Sequence, residues 1–170
     1  MERCEDCGFE YDELPVEQIG RAIRAMLPQY GTILALDPAA LRAHPIPGTW
    51  SALEYACHLR DVFEVQHARV ELALAEDEPV FEPMGREERV TADHYNDQDP
   101  VVVEQQLIIA GRALADLFDS LEPAQWERTA IYNYPTPASR TIAWIGRHTV
   151  HEGRHHLRDM ERVLDALNPP

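Results

Sequence analysis

The sequence predicts an all-α fold, an up-down four-helix bundle with long connections. Two observations carry that expectation: apolar residues recur at helical spacing in four long segments, and Pro-rich or capped stretches punctuate them. With 170 residues the chain suits one domain, residues 1–170, large enough to bury a core without staples.

The first helix is expected from near Pro15, a residue suited to a first helical turn, with Ile19, Ala22, Ile23, Met26 and Leu27 along one face. Pro28 should kink or break it, and the pattern resumes through Ile33, Leu34 and Leu36. Residues 43–47 (AHPIP) cannot be helical. Ser51 and Glu54 form a capping box for the second helix, with Trp50 and Tyr55 as its hydrophobic staple, and the run continues without Pro or Gly to about residue 77. Residues 79–99 read as an irregular connection with a short helix near 87–95; a connection of that length is usually functional or mobile. Asp99-Pro100 opens a third helix ending near Leu121. The segment RTAIYNYPTPASRT reads as an extended loop without regular structure, because two prolines interrupt it. Ser139 or Thr141 then caps a fourth helix running to about Leu167 and closed by Asn168-Pro169.

Composition excludes some functions. Thirty acidic against fifteen basic side chains give a formal net charge of −15, which disfavours nucleic acid and anionic membrane surfaces as partners. The acidic start MERCEDCGFEYDE lacks the pattern of a signal peptide, and no stretch is apolar enough to span a bilayer, so a cytoplasmic protein is expected. Residues 1–14 form an N-terminal extension carrying Cys4-x-x-Cys7. A zinc ribbon needs a second such pair, and only Cys57 remains, inside a helix. The expectation is a solvent-exposed pair, inert or occasionally oxidised, with packing over a metal pocket or adventitious metal binding as the lesser alternative.

Eight histidines are the chemical signal, and four of them fall in RHTVHEGRHHLRD on the fourth helix. His151 and His155, at i and i+4, lie roughly 40° apart around the axis and can converge on one metal ion. His148 faces the same way, whereas His156 points about 100° away from His155. A third ligand is required, and His58, His67, His94 and His148 are the candidates. His58 is favoured because it sits among Ala56, Cys57, Leu59 and Phe63, where an unpaired polar group is costly. His67 and His94 have charged surroundings, and His148 reads as a pocket-lining residue.

Trp50-Ser51-x-x-Glu54-x-x-x-His58-Leu59, followed by His151-x-x-x-His155, resembles the DinB-like superfamily of metal-binding bundles over residues 15–167. The run YPTPASRTIAWIGRHTVHEGRHHLRDMERVL is similar to its actinobacterial-type branch. The resemblance implies a DinB-like bundle with a three-histidine site, His58, His151 and His155, holding zinc or nickel with open positions, and frequent homodimers. It also implies thiol-dependent chemistry: family members include S-transferases and a maleylpyruvate isomerase that use mycothiol or bacillithiol.

Such an ion can deprotonate bound water near neutral pH or hold a thiol as thiolate. The reading that follows is a metal-dependent, mycothiol-type S-transferase acting on small electrophiles. The alternatives are a metal-dependent hydrolase of a small molecule, or a stress-response module that binds metal and ligand without turnover. Glu54 and Asp61 are candidates to support the site, although capping and surface pairing compete for them. Arg60, Arg147 and Arg154 are the nearest cations for an anionic thiol, and Tyr95, Tyr132 and Tyr134 could close over the cavity.

Overall fold

A computed structural model describes residues 3–133 and 136–167; Tyr134, Pro135, Asn168 and Pro169 lie outside the described residues. Four long helices dominate: α1 (Ile19–Leu34), α3 (Ala52–Ala75), α5 (Pro100–Asp119) and α6 (Ile142–Asp165). Two short helices, α2 (Pro38–Leu41) and α4 (Arg86–Ala92), lie in the connections. Both α1 and α3 pack against α5 and α6, so the order around the bundle is α1, α5, α3, α6. That order makes α3 and α6 direct neighbours although α5 separates them in sequence.

The helix starts follow their side-chain chemistry. Ser51 Oγ accepts from the Glu54 amide at 3.1 Å while the Glu54 carboxylate accepts from the Ser51 amide at 2.7 Å. The staple rings Trp50 and Tyr55 stand 5.4 Å apart. Asp99 caps α5, with Pro100 at its first position, and Thr141 caps α6 by accepting from the Trp144 amide at 3.1 Å. A short 3-10 turn after Pro15 precedes α1. Pro28 does not break α1: its ring is exposed, and Ile23, Met26, Leu27, Tyr30 and Leu34 bury the opposite face. The carbonyl that the proline leaves unbonded therefore lies on the solvent side, where the loss is small.

The segment expected to lack regular structure is instead a β-hairpin. Strand β1 (Thr129–Tyr132) pairs antiparallel with β2 (Ala138–Thr141), bringing Ile131 opposite Ser139. Pro137 stands just before β2 rather than inside a strand, so it removes no ladder hydrogen bond. The hairpin delivers the chain to the Thr141 cap and places Tyr132 against the helices.

Helix α3 is buried on all sides from Ala52 to Phe63, and this stretch includes Glu54, His58, Arg60 and Asp61. Buried polar groups need partners, and three of the four have them. Glu54 caps α3 and takes a second contact from His44 at 2.8 Å. Asp61 pairs with Arg60 at 2.8 Å and Arg89 at 3.0 Å, and Tyr95 Oη donates to it at 2.5 Å. His58 is the exception.

Candidate metal centre

His58 is 2% exposed, and its Nδ1 is buried with no hydrogen-bond partner. Its ring lies 5.0 Å from that of His156 and 5.1 Å from that of Trp50. One ligand atom each from His58, Glu152 and His156 falls within 4.8 Å of the others. His156 Nε2 is likewise buried without a hydrogen bond, 3.4 Å from the Glu152 carboxylate. Ligand atoms around a tetrahedral ion stand about 3.3–3.8 Å apart, so small side-chain adjustments would close this set on a metal.

The sequence-predicted trio is therefore divided. His58 meets Glu152 and His156, while His151 and His155 gather with Cys4 and Cys7, again within 4.8 Å. The reason is helix geometry. Successive residues turn by about 100°, so the 151/155 pair and the 152/156 pair form two i,i+4 couples on adjacent stripes of α6. His156 does point away from His155, as expected, but the surface it faces is the one occupied by His58.

Two of the three groups rest in the form a cation needs, and the third, His156, must give up a proton. Burial, together with the charge of His156, lowers His58 to about 3, which leaves a neutral imidazole with a lone pair to offer. Burial would raise Glu152, yet contacts with His151 and His156 hold it well below the usual carboxylate range. Burial also opposes charge on His156, but Asp159 and Glu152 outweigh it and push the ring up to about 9. His156 Nδ1 lies 3.1 Å from the Asp159 carboxylate, an arrangement that fixes ring orientation and leaves Nε2 for a metal.

A cavity of about 530 Å³ opens beside these groups. Gln66, Arg69, Met84, Arg86 and Tyr132 line it with His148. The Tyr132 hydroxyl accepts from Gln66 at 2.8 Å and from Arg69 at 3.2 Å. Tyr11 bridges two more lining residues, its hydroxyl 2.9 Å from His148 Nδ1 and 3.1 Å from His151 Nδ1. His148 thus takes the pocket-lining place expected of it.

Other candidates lie elsewhere. His67 pairs with Glu71 at 3.3 Å, and His94 is exposed with a positive φ of 48°. Tyr95 is fully buried on Asp61 rather than poised over the cavity. Arg60 turns to Asp61, Gln98 and Gln106; Arg147 donates to the Leu14 carbonyl; Arg154 stacks on Phe9. The cations that line the cavity are Arg69 and Arg86, both on residues that sequence spacing from the histidines could not single out.

The N-terminal extension also departs from expectation. Cys4 and Cys7 are half-buried beside α6, with Cys4 Sγ 3.7 Å from His155 Nδ1. Burial works against the Cys4 thiolate, but the Cys7 amide and His151 lower the thiol to about 6. An unpaired, solvent-exposed motif would show neither feature.

Known proteins place this architecture. The model of the DinB superfamily matches residues 22–160. A protein of Oceanobacillus iheyensis, provisionally named a metal-dependent hydrolase, is 30% identical over 128 residues, 74% of this chain and 72% of that protein. Among solved structures, YfiT of Bacillus subtilis, described as a probable metal-dependent hydrolase with an unusual four-helix bundle topology, superposes with a TM-score of 0.74. It is 18% identical, with 96% of this chain and 89% of that one covered. The mycothiol-dependent maleylpyruvate isomerase superposes with a TM-score of 0.71 at 16% identity, covering 88% of this chain and 62% of that enzyme's length. The bundle with its small hairpin, the matched span of residues 22–160 and the buried histidine site agree: the chain belongs to the DinB superfamily.

Proposed function

We propose that the chain is a metal-dependent enzyme whose ion is held by His58, Glu152 and His156, and that it transfers a low-molecular-weight thiol to a small electrophile. The observation that carries this reading is the pair of orphaned, buried imidazole nitrogens, His58 Nδ1 and His156 Nε2, beside a charged carboxylate at an open cavity. Two neutral rings and one carboxylate suit zinc or nickel and leave positions for an exogenous ligand. A divalent ion bound there supplies Lewis acidity, which stabilises a thiolate or lowers the pKa of water.

The protein's own groups do the rest. Asp159 orients His156, and the half-buried Trp50 ring packs 5.1 Å from the His58 ring. Arg69 and Arg86 line the cavity and favour the thiolate form of a low-molecular-weight thiol such as mycothiol. Apolar Val62 and Met84 complete walls that a small electrophile can occupy.

Hydrolysis is the second reading, favoured by the name of the Oceanobacillus relative. Monochlorobimane consumption by metal-loaded protein separates the two. Thiol transfer predicts turnover only with mycothiol present. Turnover of an ester substrate at equal rate without thiol would establish hydrolysis instead.

A further inference from the structure

The Cys4, Cys7, His151 and His155 cluster lies outside the ligand set just described, yet it has the composition of a closed metal site. Four donors, two sulfur and two nitrogen, lie within 4.8 Å of one another. Their spacing, C-x-x-C and H-x-x-x-H, matches the pattern by which structural zinc is held tetrahedrally. We propose that Cys4, Cys7, His151 and His155 form a second, structural zinc site that fastens the N-terminal segment to α6 beside the cavity.

The donors are presented as ligands require. His151 Nδ1 is engaged by the Tyr11 hydroxyl at 3.1 Å and the Glu152 carboxylate at 3.3 Å, while its Nε2 is buried with no hydrogen-bond partner. His155 divides its nitrogens in the same manner: Nε2 is 3.5 Å from the Asp159 carboxylate and Nδ1 faces Cys4 Sγ at 3.7 Å. In each ring one nitrogen meets a carboxylate and the other is left for the site, the usual arrangement of zinc-bound histidine.

The cysteines are held by backbone rather than by chance proximity. Residues 4–9 close a tight turn in which the Gly8 amide donates to the Cys4 carbonyl at 2.8 Å and the Cys4 amide to the Phe9 carbonyl at 2.9 Å. Gly8 has φ +73°, a conformation that a side chain would strain, so glycine directly after Cys7 lets the turn present both sulfurs to one side. Phe9 and Tyr11, both 6% exposed, anchor the chain beyond it. Phe9 packs 5.7 Å from the His151 ring, centroid to centroid.

The position gives the site a consequence. Cys4, Asp6, His151 and His155 also line the cavity that His58, Glu152 and His156 face. Filling the Cys2His2 site would fix one wall of that cavity and, through Glu152 and Asp159, the residues that hold or orient the first ion.

Cobalt(II) titration of reduced, metal-free, full-length protein tests this. The expected result is two equivalents bound, one of them producing thiolate-to-cobalt charge transfer and the intense visible bands of a tetrahedral ion. The variant C4S/C7S should lose that band and one equivalent while keeping the other. The variant H58A should keep the band and lose the other equivalent. Absence of a thiolate band in the wild type, or its persistence in C4S/C7S, would overturn the proposal. A band with only one equivalent in total, unaltered in H58A, would support this second site and remove the His58 site instead. If C4S/C7S lacks a native circular dichroism spectrum, H155C carries the test: a third thiolate must strengthen the band, and an unchanged band contradicts the assignment.

Discussion

At the scale of single residues, Asp159 has an influence out of proportion to its position. One carboxylate oxygen lies 3.1 Å from His156 and 3.5 Å from His155, and the other accepts from Arg162 at 2.9 Å. Because such outer partners set ring orientation, Asp159→Asn should weaken metal affinity by about 10–100-fold with little change in fold, measured by competition against a chromophoric chelator. Proton release gives a second check. His156 is pushed up to about 9, so at neutral pH the metal-free ring carries a proton that an ion must displace. Metal binding at the His58 site should therefore strengthen as pH rises towards 9 and weaken below it. Calorimetry of C4S/C7S in two buffers of different ionisation enthalpy should report about one proton released per ion. No release would contradict the ligand assignment. The third cysteine behaves differently: burial pushes Cys57 up to about 12, so in native protein at pH 8 it should resist iodoacetamide and react only on unfolding.

At the scale of elements, α6 carries two couples of candidate ligands, 151/155 and 152/156, one residue out of register. Much of this helix is legible in the sequence: a cap at Ser139 or Thr141, which the structure assigns to Thr141, and the histidine density follow from local chemistry, while the partnership with His58 on α3 comes from the family resemblance. Which couple faces α3 was not legible, because i,i+4 spacing serves 151/155 and 152/156 equally. The choice rests on the rotation of α6 against α3, a packing quantity. Considering only histidines as candidates also passes over Glu152, which the structure places with His58 and His156 and whose i+4 relation to His156 is the available signal. The hairpin is not legible because prolines interrupt the segment, whereas in the structure Pro137 occupies only the approach to β2. Packing of α5 offers a stability test. A Cβ on Gly111 would stand 2.6 Å from Leu27 Cδ2 and 3.0 Å from the Phe63 ring. The overpacking cost, about 1–3 kcal/mol, exceeds the helix-propensity gain of about 1 kcal/mol. Gly111→Ala should lower the thermal unfolding midpoint, and a raised midpoint would show that the α1–α3–α5 contact is looser than described.

At the scale of the whole molecule, the bundle order places α3 beside α6 and so builds the site between segments distant in sequence. Residues 3–18 then pack over α6, with Tyr11 on His148 and His151 and the Leu14 carbonyl on Arg147. No helix among the described residues is long and apolar enough to cross a membrane. The fold class was readable from periodicity and caps, but the role of the N-terminal extension was not. Its partners, His151 and His155, lie more than a hundred positions away, far beyond the roughly 12–15 residues that separate the C-x-x-C and H-x-x-x-H pairs of a zinc finger. Deletion of residues 1–10 should therefore cost one metal equivalent and loosen the cavity wall, seen as faster amide exchange around residues 148–156. Unchanged exchange there would show that the segment is not part of the site's support.

The ligand assignment itself is tested most directly by a crystal structure of zinc-loaded protein with anomalous scattering at the zinc edge. The account predicts a peak coordinated by His58, Glu152 and His156, within reach of the cavity. A peak coordinated by His58, His151 and His155, with Glu152 and His156 turned away, would contradict it.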